Sequence, residues 1–221
     1  MRAGAATIAV LAAFFSMHLP AEAQDNLKRG ADIAANGVGD AVPACAGCHG
    51  QNGIAEGSGS FPRLAGQSAW YMARQFADYA SGTRKSALMG PIAKALSPAD
   101  RAAVAAYFGS ADGPFLFNKR ADAALVERGR QLARTGDEAK ALPACNNCHG
   151  PGGIGEFPAI PYLAGQYADY TALQLQLWQS GARKDSADAM AEIAKRLSAQ
   201  DMAAVAAYYQ QLREGPVALA K

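Results

Sequence analysis

Apolar residues recur along most of this chain at spacings of three and four, the interval that gathers them on one face of a helix. Val104, Tyr107 and Phe108 show it near the middle of the chain, and Val205, Tyr208 and Tyr209 show it near the end. Each run is announced by a helix start. Ser97 stands before Pro98 with Asp100 three residues on, and Ser198 stands before Ala199 with Asp201 three residues on. A serine at the cap, a proline at the first helical position and an acid at the third all favour a helix N-terminus. Further helices are predicted over 69–79 and 168–179, which carry apolar and aromatic faces, and over the Ala-rich stretches 27–35 and 125–133. The last two each contain a glycine, Gly30 and Gly129. Glycine costs about 1 kcal/mol in a helix interior, so its presence predicts that another helix crosses closely there. Strand-like alternation is not found, and the chain reads as all-α.

The pattern occurs twice. Pro43 to Gly50 repeats as Pro143 to Gly150, Leu64 to Gln67 as Leu163 to Gln166, Arg84 and Lys85 as Arg183 and Lys184, and Leu96 with Ser97 as Leu197 with Ser198. A repeat of this length, roughly 100 residues, is a domain rather than a solenoid unit. Gly109 to Pro114 supplies turn residues between the copies. The expected division is therefore 1–23 as a leader, 24–113 as a first domain and 114–221 as a second.

The leader has the layout of a secretory signal. Arg2 is a short positive region, Ala5 to Phe15 an apolar one, and Ala21-Glu22-Ala23 an A-x-A-like cleavage site. An uncleaved anchor is the alternative, but the apolar run is shorter than the ~20 residues a membrane span needs. Cleavage near Ala23 removes Arg2 and Glu22 together, so the net charge stays +2. The basic residues are scattered or in short pairs, which excludes the stripe expected of a nucleic-acid binder.

The chemistry sits in the repeat. Cys45-Ala-Gly-Cys48-His49 and Cys145-Asn-Asn-Cys148-His149 are both C-x-x-C-H, the attachment signature of a covalent c-type haem. Cysteines at i and i+3 share one face of a helical turn, where two thiols can form thioethers to one porphyrin. The histidine that follows is then placed to bind the iron. A redox dithiol would not explain a histidine after both copies. A zinc site would bring the two pairs within about 15–20 residues, whereas 96 residues separate Cys48 from Cys145. These motifs use every cysteine of the chain and every histidine beyond the leader. The sixth iron position is thus left to Met, Lys, Tyr, water or an open site. Of the methionines beyond the leader, Met72 aligns with Thr171 and Met202 with Arg101. Met89 and Met190 coincide, each seven residues before its Leu-Ser pair, in what reads as an irregular stretch between helices. They are the candidate axial ligands, and Met72 and Met202 read as core.

Each half then resembles a class I cytochrome c domain, and the tandem resembles the dihaem cytochrome c4 family. The resemblance is carried by CAGCHG and CNNCHG, FPRLAGQ and IPYLAGQ, SGTRK and SGARK, and ALSPADRAAVAAYF and RLSAQDMAAVAAYY. It implies two cytochrome c domains related by approximate two-fold symmetry. It implies that the Pro62 and Pro161 carbonyls accept hydrogen bonds from Nδ1 of His49 and His149. It also implies two covalently bound haems and a periplasmic carrier of the respiratory chain. The donor would be a quinol-oxidising complex or dehydrogenase, and the acceptor a haem–copper terminal oxidase. The alternative is the cytochrome subunit of a periplasmic dehydrogenase, such as a sulfide-oxidising flavocytochrome. An enzyme with its own activity would need an open or unusually ligated haem. The second half departs from the pattern in extra residues before Met190.

The remaining repeated residues leave more than one reading. Tyr71 with Tyr170 and Gln75 with Gln174 either bond propionates and ligand loops or simply pack. Arg84-Lys85 and Arg183-Lys184 either pair with propionates, guide a partner or are solvated surface charge. Trp70 and Trp178 do not align and read as packing residues.

Overall fold

The computed structural model describes residues 21–55, 60–113, 121–184 and 188–212. The expected signal sequence therefore lies largely outside the described residues, as do 114–120 beside the expected domain boundary. Five helices build the first half: α1 (Ala21–Asn36), α2 (Ala46–His49), α3 (Ala69–Ser81), α4 (Met89–Ala95) and α5 (Pro98–Ser110). Five more repeat them: α6 (Ala123–Arg134), α7 (Asn146–His149), α8 (Ala168–Gln179), α9 (Ala189–Lys195) and α10 (Ala199–Gln211). No strand occurs among the described residues, only isolated bridges.

The caps form where the sequence places them. The Ser97 side chain accepts from Asp100 N at 3.0 Å. At Ser198 the box is complete, with Asp201 N donating to Ser198 Oγ at 3.1 Å and Ser198 N donating to Asp201 Oδ2 at 3.1 Å. The first and last helices of each half pack together, α1 on α5 and α6 on α10. The two glycines are the contact points. A Cβ on Gly30 would lie 2.1 Å from the Ala103 carbonyl oxygen.

Each half has its own apolar core. Ile33, Val42, Met72, Leu96, Val104 and Phe108 form the first, with Cys45 against it. Leu132, Leu142, Leu175, Leu197, Met202 and Val205 form the second, with Cys145 and Met190 against it. Met72 and Met202 are core residues, as expected from their lack of a counterpart. Trp178 is buried, but Trp70 is nearly half exposed, so its packing role is corrected: it lies on the surface beneath the Arg74 guanidinium.

The repeated Leu-Ala-Gly-Gln segment joins these layers. Gly66 N donates to the Phe108 carbonyl at 2.9 Å and Gly165 N to the Tyr209 carbonyl at 2.8 Å, tying the segment to the end of α5 or α10. The glutamine that follows crosses to the other half. Gln67 Oε1 accepts from Tyr162 N at 3.3 Å and its Nε2 donates to Tyr162 O at 3.2 Å. Gln166 does the same to the backbone of Arg63, at 2.8 and 3.0 Å. Each glutamine thus satisfies both the N–H and the C=O of one buried residue of the opposite half.

Candidate functional site

Each C-x-x-C-H motif forms a single helical turn, α2 or α7, ending in a glycine at φ 73°. That left-handed conformation is strained for any residue with a Cβ, and in the first half a Cβ on Gly50 would also strike the Ile54 carbonyl oxygen at 2.1 Å. The chain must therefore turn sharply right after the histidine. His49 N and His149 N donate to the carbonyls of Cys45 and Cys145 at 2.8 and 3.0 Å, which closes the turn and holds both thiols and the imidazole on one short element.

All four cysteines are free thiols. Cys48 and Cys148 are exposed, and Cys45 and Cys145 are half-buried. Burial pushes the Cys45 and Cys145 thiols up, so they stay protonated near neutral pH. Both imidazoles are buried, and burial pulls each below its ordinary value of 6.5 against the opposing effect of the proline carbonyl. They are therefore neutral at pH 7, the form that binds iron. His149 Nδ1 lies 2.9 Å from Pro161 O, and His49 Nδ1 lies 3.4 Å from Pro62 O. A carbonyl can only accept, so Nδ1 carries the proton and Nε2 is left with a free lone pair. The expected proline contacts are present, the first one longer than the second.

Met89 and Met190 are half-buried and do not lie in irregular chain. Met89 is the first residue of α4 and Met190 the second of α9. Met89 N donates to Ser86 Oγ at 3.0 Å as α4 begins, and α9 opens on an ordinary first-turn bond, Glu192 N to Asp188 O at 3.0 Å, with no side-chain cap at Asp188. Met190 packs on the same apolar cluster as Cys145. The extra residues before it, 185–187, are outside the described residues.

Sequence reasoning missed the setting of the two repeated arginines. They are not solvated surface charge. Arg84 is 3% exposed and Arg183 is 6% exposed, because each is covered by the other half of the molecule. Their backbones pair antiparallel, with Lys85 N donating to Ala182 O at 3.0 Å and Lys184 N donating to Thr83 O at 3.2 Å. Arg84 donates to Gln75 Oε1 of its own half at 2.8 Å, and to Tyr170 Oη at 2.8 Å and Gln174 Oε1 at 2.6 Å of the other. Arg183 mirrors this, to Gln174 at 2.9 Å, Tyr71 at 2.7 Å and Gln75 at 2.8 Å. Each guanidinium also stacks on an aromatic ring of its own half, Tyr79 or Trp178. The repeat of Tyr, Gln and Arg at one offset of 99 residues was the signal that could have revealed this cluster.

These residues fit a covalently attached haem in each half. The paired thiols are free, the imidazole is neutral with Nδ1 committed and Nε2 open, and a thioether stands in each half at a matched position. Arg84 Nε is also buried without a hydrogen-bond partner, a donor that suits a carboxylate such as a haem propionate.

Comparison with known proteins agrees. The family model described as Cytochrome c matches residues 27–112, and that described as Cytochrome C oxidase, cbb3-type, subunit III matches residues 127–208. The chain is 40% identical to a cytochrome c4 of Azotobacter vinelandii, over 84% of this chain and 92% of that one. It is 41% identical to a "thiosulfate dehydrogenase electron acceptor" of Stutzerimonas stutzeri, over 78% of this chain and 81% of that one. Reduced recombinant cytochrome c4 from Pseudomonas stutzeri superposes with a TM-score of 0.73 at 34% identity, covering 85% of this chain and 98% of that chain. The thiosulfate dehydrogenase TsdBA of Marichromatium purpuratum superposes with a TM-score of 0.77 at 39% identity; 84% of this chain is covered, but only 40% of that larger chain.

Proposed function

This chain belongs to the dihaem cytochrome c4 family, electron carriers with two covalently bound haems, and from that premise we propose that it serves the respiratory chain in the periplasm after cleavage of its leader near Ala23. The observation that carries the reading is the matched pair of helical turns, each presenting two free thiols and a neutral histidine whose Nδ1 is already committed.

The units divide near residues 113 and 114. Cys45 and Cys48 would hold one haem by thioether bonds, and Cys145 and Cys148 the other. His49 and His149 would bind the iron through Nε2, and Met89 and Met190 would supply the second ligand. The bound haem supplies a one-electron Fe(III)/Fe(II) couple, whose potential His/Met ligation in an apolar pocket raises. The Pro62 and Pro161 carbonyls fix the imidazole tautomer and orientation, so electron transfer requires little rearrangement. The apolar clusters around Cys45 and Cys145 exclude water from the buried side of each pocket.

The donor we propose is a quinol-oxidising complex or a dehydrogenase, and the acceptor a haem–copper oxidase. The likeness to a thiosulfate dehydrogenase electron acceptor favours a dehydrogenase as donor. It also supports the second reading, a chain bound permanently to a dehydrogenase as its cytochrome subunit. Among the described residues no helix is long and apolar enough to cross a membrane. A redox titration of the purified protein tests the proposal. Two haems, both at high potential and both with the ferric Met–iron charge-transfer band, are expected. A haem without that band that binds small ligands would defeat the ligand assignment, and co-purification in fixed ratio with a flavoprotein would favour the second reading.

A further inference from the structure

Phe108 and Tyr209 hold the same place in the two halves. Each carbonyl accepts from the glycine of its Leu-Ala-Gly-Gln segment, and each ring lies against a matched glycine, Gly53 or Gly153. Both residues are fully buried. They differ by one hydroxyl, which in the second half donates to Asn146 Oδ1 at 2.9 Å. That acceptor also belongs to this half alone, since Asn146 stands where the first C-x-x-C-H motif has Ala46. Cys145 packs on the Tyr209 cluster, and the phenol oxygen is within hydrogen-bonding reach of its sulfur. The two half-buried thiols are alike in their other polar contact, Cys45 Sγ to Ile33 O at 3.9 Å and Cys145 Sγ to Leu132 O at 3.7 Å. A polar pair therefore stands beside one haem-attachment cysteine and not beside the other. Burial, and then the neighbouring Cys145 and Tyr208, raise the Tyr209 hydroxyl above its ordinary value of 10, so it keeps its proton. A carboxamide oxygen can only accept, so Asn146 holds that proton and the phenol turns lone pairs toward the sulfur. Attachment would join Cys145 Sγ to one vinyl carbon and pass the thiol proton to the other. The sulfur then has nothing to donate, and the oxygen keeps its negative end beside it.

We propose that Tyr209 and Asn146 form a tuning pair for the second centre alone: the phenol oxygen, its proton held away by Asn146, favours the ferric state of the haem attached at Cys145 and lowers that centre's potential. The inference rests on the dihaem reading above. The ferric centre carries one more positive charge than the ferrous one, so the negative end of a dipole close by favours it. In an apolar, water-poor surrounding such an effect is stronger than in water. Asn146 acts through Tyr209, and Tyr209 acts through its place beside the Cys145 sulfur. Neither touches the iron ligands His149 and Met190 in any hydrogen bond among the described residues.

Tyr209→Phe tests this, and the first half already shows that the fold accepts phenylalanine at this place. Redox titration of the holoprotein reads the two one-electron steps, and Met190→Ala identifies the second haem's step as the one it displaces. In Tyr209→Phe that step is expected to strengthen about threefold, a rise of about 28 mV at about 59 mV per tenfold change, while the other step stays where it was. Asn146→Ala frees the hydroxyl proton to turn toward the sulfur and is expected to raise the same step. Moving the pair into the first half with Ala46→Asn and Phe108→Tyr is expected to lower the other step. The sign separates tuning from packing, because a merely loosened pocket admits water, which favours the ferric state and lowers the potential. An unmoved second step in Tyr209→Phe, a fall in it, or an equal movement of both steps would each overturn the proposal. Haem content and the Met–iron band of the wild type judge the dihaem reading separately.

Discussion

Gly129 on α6 lies so close to α10 that a Cβ built on it would sit 2.0 Å from the Ala204 carbonyl oxygen. The obstacle is backbone in the middle of a helix, which cannot move aside as a flexible side chain can. Alanine would improve helix propensity by about 1 kcal/mol, but forcing the helices apart costs about 1–3 kcal/mol or more. Because the clash is with main chain, the upper end applies. Gly129→Ala should lose at least about 1–2 kcal/mol net in denaturant unfolding, and Gly30→Ala should behave alike. An alanine variant as stable as the wild type would mean that the helices do not cross at these points.

Replacing Met89 or Met190 with alanine should abolish the Met–iron charge-transfer band of one haem only and let that iron bind cyanide or imidazole. Met72→Ala should keep both bands and instead cost about 2–5 kcal/mol, the usual result of deleting a buried methionine. If Met72→Ala removed a band, the ligand assignment would be wrong.

Acid should weaken the second half through Asp201. Burial acts to raise this carboxyl, but Lys140, Ser198 and Arg128 outweigh it and hold it well below its ordinary 3.8. Arg128 Nη2 lies 2.9 Å from Asp201 Oδ1, and Lys140 Nζ closes on Oδ2. A lowered folded pKa means that the unfolded chain binds the proton more readily. The stabilisation is thus complete above about pH 4 and is lost as pH falls from there toward the folded value. Asp201→Asn should cost about 3 kcal/mol at pH 7 and flatten the acid limb of a stability–pH curve. An unchanged acid limb would show that the cluster contributes nothing.

Gln67 and Gln166 should control whether the halves unfold as one. Each pairs with the N–H and C=O of one buried residue of the opposite half, and a lost partner there costs about 1–3 kcal/mol per unsatisfied group. Gln67→Leu should speed amide exchange at Tyr162, and a Gln67→Leu, Gln166→Leu double variant should separate thermal unfolding into two steps. Single-step unfolding in the double variant would place the docking energy elsewhere.

Much of this was legible in the sequence because it is local. The C-x-x-C-H turns, the Ser97 and Ser198 caps and the Gly30 and Gly129 crossings each depend on residues close in the chain or on a period of three to four. Met89 and Met190 emerged from comparing the copies, although the short helices they begin did not, since seven-residue elements carry little periodic signal. The burial of Arg84 and Arg183 could not be read from composition at all. Arginine beside lysine in a turn looks like surface, and what hides it here is Tyr170 or Tyr71 from the opposite half, 86 or 112 residues away. The same holds for Gln67 and Gln166, whose partners lie 95 and 103 residues distant.

The antiparallel meeting of Arg84 with Arg183 joins a segment to its own repeat, so each side offers the other the same surface. That is the isologous contact of a symmetric dimer, carried here inside one polypeptide. A covalent tether keeps the halves at an effective concentration on the order of millimolar, so the contact need not be strong enough to assemble from separate subunits. It also frees the copies to diverge. Tyr79 faces Arg84 where Trp178 faces Arg183, and such asymmetry could not arise between identical protomers. One chain can therefore tune two nearly equivalent centres apart while they stay locked together.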